Sequence, residues 1–149
     1  MKRSYLWFIA VTVIVLIALA IAGRHAQRLE SVSDATRAES ARCSQVGQAF
    51  RRHLSGGWLT MSGSVLRILP DSHGSSTHQR FILVCKSRQT VLIDNNVDIG
   101  RRVPLHVGER VTVHGQYILN NLGGLIHDTH HAGVFSQNGW IFAGGRVYQ

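Results

Sequence analysis

Acidic residues and cysteines are scarce in this chain, and the common catalytic signatures are missing. Eight Asp and Glu stand against 16 Lys and Arg in 149 residues, a formal net charge of +8 with histidine neutral. A surplus of that sign suits an anionic partner such as phosphate, nucleic acid, an anionic glycan or a membrane surface. The arginines are scattered, with no block of five or six, which equally fits a solvated basic surface. There are two cysteines, Cys43 and Cys85, and no C-x-x-C. They can pair in an oxidising compartment or stay as buried thiols. No Gly-x-Ser-x-Gly, no phosphate-cradling glycine loop and no His-Glu-x-x-His occurs.

What the sequence does have is an apolar start. After Met1-Lys2-Arg3-Ser4, residues 5–22 contain one polar side chain short of aromatic ones, Thr12, and no charge. As a helix this stretch is about 27 Å long, close to the hydrocarbon thickness of a bilayer. Ala18-Leu19-Ala20 and Ala20-Ile21-Ala22 fit a signal-peptidase pattern, but the run exceeds the usual signal core. A retained anchor is favoured over a cleaved signal. Lys2 and Arg3 hold the front end in the cytoplasm, which puts the rest in the periplasm or outside. The expectation is a single-pass inner-membrane protein with a periplasmic C-terminal domain, or a secreted form after cleavage.

The remainder is long enough for one domain with a real core. Residues 24–32 read as a polar linker, and a helix is expected from Ser33 or Asp34 to about Leu54, ending at Gly56-Gly57. Strand patterns follow. Leu59, Met61, Val65 and Leu69 form one run, closed by a turn at Pro70-Asp71-Ser72. Residues 78–85, 89–93, 110–118 and 125–129 give four more, and residues 140–148 resemble a short hairpin around Gly144-Gly145. The L-x-V-G-x-x-V-x-V-x-G rhythm of residues 105–115 is common where a turn feeds the fourth strand of an OB-type barrel. The expected fold is mainly β: a five-stranded OB-like barrel (residues 58–149) after a linker and amphipathic helix (24–57) and a signal-anchor or signal peptide (1–23).

Several polar clusters are candidates for chemistry. His127, His130 and His131 offer imidazoles to a divalent transition metal, if a turn near Thr129 lets them converge; otherwise they are surface histidines at a strand end. His78 and Arg80 point the same way on a strand, an acid/base group beside a guanidinium fork suited to phosphate. Asp94-Asn95-Asn96-Val97-Asp98 is rich in oxygen ligands but lacks the EF-hand glycine and glutamate, so turn chemistry is the simpler reading.

Taken together, Pro70-Asp71, His78-Gln79-Arg80-Phe81-Ile82-Leu83, Asn96-Val97-Asp98-Ile99, Val107-Gly108-Glu109, Gly115-Gln116-Tyr117, Gly123-Gly124, His127, Thr129-His130, Gly139-Trp140 and Gly145-Arg146-Val147-Tyr148 form a pattern. It resembles an uncharacterised bacterial family of small exported proteins, a domain of unknown function, over roughly residues 60–149. The resemblance implies a shared set of polar positions and no established activity. Asn95 stands where that family usually has histidine, Gln116 where it has glutamate and Asp128 where it has tryptophan. Ala132-Gly133 replace Asp-Pro.

Two readings of function follow. One is an anchored binding module for an anionic ligand (oligonucleotide, glycan or peptide), with Arg80, Asn96, Asn120 and Thr129 as ligand contacts. The other is a metal-assisted phosphodiesterase or nuclease in which His78, Arg80, Asp98 and His127 carry the chemistry and His127, His130 and His131 hold the ion. A role in assembling an envelope complex rests on the anchor alone.

Overall fold

A computed structural model describes residues 2–131 and 137–149, so Ala132-Gly133 lie outside the described residues. One helix, α1, runs over Lys2–Arg51 and is followed by seven strands: β1 Trp58–His73, β2 Thr77–Val84, β3 Thr90–Asn96, β4 Arg110–Ile118, β5 Leu125–His127, β6 Trp140–Ala143 and β7 Arg146–Tyr148. Two compact units divide the chain, Met1–Arg37 and Ala38–Gln149.

In the first unit the apolar side chains described, among them Phe8, Ile14, Leu16 and Leu19, are exposed. This is the one described helix long and apolar enough to cross a membrane. Residues 24–32, expected to be a linker, are helical, and no new helix starts at Ser33 or Asp34. The reason lies in the serines. The hydroxyls of Ser31 and Ser33 donate back to the carbonyls of Arg28 and Glu30, inside the helix, and cap nothing.

In the second unit the last turns of α1 bury Cys43, Val46 and Ala49 in the core. Cys43 is disulfide-bonded to Cys85, just after β2, with Cα atoms 6.2 Å apart. The bond closes a loop of 42 residues in sequence separation. By the chain-entropy model that restricts the unfolded chain enough to stabilise the fold by about 4 kcal/mol.

The strands alternate as a half-buried sheet should. Gln79, Phe81 and Leu83 of β2 point inward, as do Val91, Ile93 and Asn95 of β3 and Val111, Val113 and Tyr117 of β4. β1 pairs antiparallel with both β2 and β4, β2 with β3, and β4 with β5; β3 pairs parallel with β5. The ladder thus runs β1–β2–β3–β5–β4 and returns to β1. Five strands were expected; β6 and β7 add two more beyond β4, forming the hairpin at Gly144-Gly145.

Two strand ends differ from the sequence reading. β1 does not stop at Pro70 but continues to His73, with a register shift between Leu69 and Ser72 that takes Pro70 and Asp71 out of the ladder. A bulge is where a strand tolerates a residue without an N–H. Arg102 holds Asp71 there by a paired hydrogen bond, and its guanidinium keeps the Asp71 carboxyl below the usual carboxylate range. β5 ends at His127, because Asp128 takes a left-handed backbone conformation with φ 52°.

Candidate metal centre

The alternation that fills the interior also sorts polar residues on the opposite face of the sheet. On β2, His78 and Arg80 point away from the core; on β3, Asp94 does; on β5, His127 does. Arg80 is the cross-strand partner of Asp94. The parallel register Ile93 to Ile126 sets Asp94 beside His127. Three separate strands therefore deliver His78, Asp94 and His127 to one spot, with ligand atoms all within 4.8 Å of one another.

The two imidazoles face each other, with Nε2 of His78 3.1 Å from Nε2 of His127, a hydrogen bond when one of the two nitrogens carries a proton and the other does not. A tetrahedral ion with bonds of about 2.0–2.1 Å to nitrogen separates two such donors by roughly 3.3 Å, so this spacing suits an ion between them. His127 Nδ1 lies 2.7 Å from Oδ1 of Asp128. With the ring proton on Nδ1, His127 donates to that carboxylate and turns its Nε2 lone pair toward His78. A carboxylate behind a ligating histidine is a recurrent outer-shell device that fixes the tautomer and raises basicity. The positive φ of Asp128 brings its carboxylate back to the ring one residue earlier.

Asp94 supplies the third group. Its Oδ1 is buried and accepts no hydrogen bond from the described residues. Leaving such an acceptor unsatisfied costs on the order of 1–3 kcal/mol, and more when it is charged. The other oxygen in that condition, Oε1 of Glu39, belongs to a carboxylate already paired with Arg110 through Oε2. Two imidazoles and one carboxylate make a three-ligand set with positions left open, the donor combination of hydrolytic zinc and of some non-haem iron sites.

Two glycines make room for the segment that carries His127. A Cβ on Gly115 would lie 2.3 Å from the His127 carbonyl oxygen, and one on Gly139 would lie 1.8 Å from that of Asp128. Gly115 belongs to the glycine rhythm visible in the sequence; its use is to let β5 lie close against β4.

The residues one step along the same strands turn inward and do something else. Gln79 donates to the Val103 carbonyl at 2.7 Å and accepts the Val103 N–H at 2.9 Å. Asn95 donates to the Arg101 carbonyl at 3.0 Å and accepts the Thr129 hydroxyl at 3.0 Å. This buried network ties the connection between β3 and β4 to the segment after β5.

Several expected site residues therefore lie elsewhere. Asp98 is exposed and outside the cluster; its carboxylate accepts the Thr77 N–H at 2.8 Å, and its own N–H goes to Asn96 Oδ1 at 3.0 Å. Asn120 accepts the N–H groups of Leu122 and Gly124, closing its turn. Thr129 and His130 are buried, and His131 is exposed. The ring of His130 reaches the His131 carbonyl through Nδ1 at 3.0 Å and stays 3.9 Å from Asp128. His127 and His130 both approach the Asp128 carboxylate, but His130 is buried and His131 exposed, and among the described residues the three do not form a ligand cluster. Asp94, assigned from sequence to the chemistry of an Asx-rich turn, is the residue that joins the histidines instead. Period-two alternation from Val91 and Ile93 puts it on the outer face, but only the β3–β5 pairing puts it beside a histidine.

A family model described as "Protein of unknown function (DUF3465)" matches residues 29–149. No curated protein matches the chain.

Proposed function

The chain belongs to the DUF3465 family, whose function is unknown, and on that premise we propose that it is an extracytoplasmic domain that binds a divalent transition-metal ion through His78, Asp94 and His127. The ion's open positions, with Arg80 beside Asp94, receive an anionic ligand. The observation that carries this reading is the buried Asp94 Oδ1 without a partner, in a cluster with two facing imidazole nitrogens. A cation there satisfies the carboxylate and separates two donors that otherwise compete for one proton.

The circuit of pairings from β1 back to β1 is the connectivity expected of a five-stranded OB-like barrel, and we read residues 58–149 as that barrel with β6–β7 as an added hairpin. Residues 5–22 serve as the membrane segment, with 1–23 as anchor or cleaved signal and 24–57 as the connection to the barrel. Lys2 and Arg3 favour a cytoplasmic start, and the Cys43–Cys85 bond favours an oxidising compartment such as the periplasm.

A second reading, metal-assisted phosphodiester hydrolysis, is favoured by the open coordination positions: three protein ligands are what hydrolytic zinc sites use to leave room for water. The ion would polarise the phosphate and lower the pKa of a bound water, while the Arg80 guanidinium would balance negative charge on the ligand.

Calorimetric titration of zinc into the full-length chain in an uncharged detergent tests the metal reading. One ion per chain should bind, and His78→Ala and His127→Ala should each weaken it at least about 100-fold. Equal binding by wild type and both variants would rule out this site.

A further inference from the structure

The outer face that carries the metal centre continues across β5 and β4 to a row of rings. Trp58 of β1 lies opposite Gln116 of β4, and Gln116 lies opposite His127 of β5. Two strand spacings, about 10 Å, therefore separate Trp58 from His127 along one outward-facing row. On β4, two residues before Gln116, His114 lies between Thr60 of β1 and Trp140 of β6. The His114 ring centroid is 5.5 Å from that of Trp58, tilted 37°, and 5.7 Å from that of Trp140, stacked at 24°. Thr60 Oγ1, 2.9 Å from His114 Nδ1, fixes the middle ring. Trp58 and Trp140 are half-buried, and Phe142, farther along β6, is 43% exposed. A groove of about 510 Å³ runs past Trp140 and Phe142, with Arg42 in its wall.

Aromatic residues on the water side of a sheet are an uneconomical way to build a core, and here they line up over three adjacent strands. We propose that the Trp58–His114–Trp140 row is a stacking platform for the bases of a single-stranded nucleic acid, whose phosphates lie toward Arg42 at one end and the metal centre at the other. Planar rings stack on such rows whatever the base, while a basic surface follows the backbone. The protein's net charge of +8 complements a polyphosphate and gives a neutral oligosaccharide no advantage. The base platform stands on the ring geometry alone; the phosphate end toward His127 rests on the metal reading.

Fluorescence anisotropy of a labelled decathymidylate with the full-length chain in uncharged detergent, at low salt, tests both parts. In EDTA, Trp58→Ala and Trp140→Ala should each weaken binding by at least about tenfold. Trp58→Phe, which keeps a ring, should lose less, and both alanine variants should keep the wild-type far-ultraviolet circular dichroism and denaturation midpoint, which reports that they fold. Zinc should tighten binding further, by an increment that His127→Ala abolishes. No binding at low salt, tryptophan variants that bind like wild type, or equal competition by maltohexaose would each overturn the platform. Tryptophan-dependent binding with no zinc increment would support the platform and sink the metal reading.

Discussion

Two polar sets built from the same region of the sheet, one residue apart in sequence on β2 and β3, have opposite characters. His78 and Asp94 face outward with His127; Gln79 and Asn95 face inward with Thr129. The inner set is saturated: each amide exchanges hydrogen bonds with backbone or with another member of the set. The outer set contains a buried carboxylate oxygen without a partner, beside two imidazoles whose only bond to each other is one hydrogen bond of 3.1 Å between their Nε2 atoms. A saturated buried network rigidifies its surroundings, whereas an unsaturated one costs stability unless something else completes it. Satisfaction, more than residue type, separates scaffold from site here.

The largest effect should come from damaging the inner set. Gln79→Leu leaves both the N–H and the carbonyl of Val103 buried without partners, and should cost about 3–5 kcal/mol in chemical denaturation of the full-length chain. A loss under about 1 kcal/mol would mean that the inner set is dispensable and would erase the contrast.

Asp94→Asn should act in the opposite sense on the outer face. Without metal it should leave stability unchanged or raise it by up to about 1 kcal/mol, since a carboxylate with one buried, unpartnered oxygen becomes a neutral amide. In the same variant zinc affinity should fall about 100-fold in titration. Destabilisation matching that of Gln79→Leu would show that Asp94 is scaffold too. Removing the outer carboxylate in Asp128→Asn should give a smaller change, about 10- to 100-fold in zinc affinity, with the fold intact. Unaltered affinity there would remove Asp128 from the site.

The smallest effect concerns neither set and calibrates both. Arg102 lowers the Asp71 pKa in the folded chain, so this pair stabilises the fold above the unfolded carboxylate pKa. That contribution fades as the pH falls through the lower folded value. Arg102 is half exposed and solvent screens the pair, so the acid-dependent loss should be no more than a few tenths of a kcal/mol in denaturation curves, and Arg102→Ala should abolish it. A larger loss surviving in Arg102→Ala would point to other acids.

Much of the scaffold is legible in the sequence because it obeys period-two alternation. Phe81, Leu83, Val91, Ile93, Val111 and Val113 announce their strands and their inward face. Pro70 misleads because a proline ends most strands and here sits at a bulge. Ser33 misleads because a serine hydroxyl caps a helix or bonds inside one with equal local chemistry. The site is only half legible. His78 and His127 stand out by type, but their meeting depends on β3 and β5 running parallel, a pairing between distant segments that no local pattern encodes. Thr129 looks like a ligand contact because it is polar, and only its burial against Asn95 reveals a structural bond. The family resemblance names positions on both faces without distinguishing them.

The proposed function of the outer face turns on whether His78, Asp94 and His127 together hold one transition-metal ion. X-ray absorption spectroscopy of the zinc-loaded, full-length chain tests it most directly. The spectrum should show a low-coordinate ion with two imidazoles and a carboxylate oxygen, at about 2.0–2.1 Å, and His78→Ala should lose one imidazole signal. A shell of oxygen only, or a spectrum unchanged in His78→Ala, would contradict it.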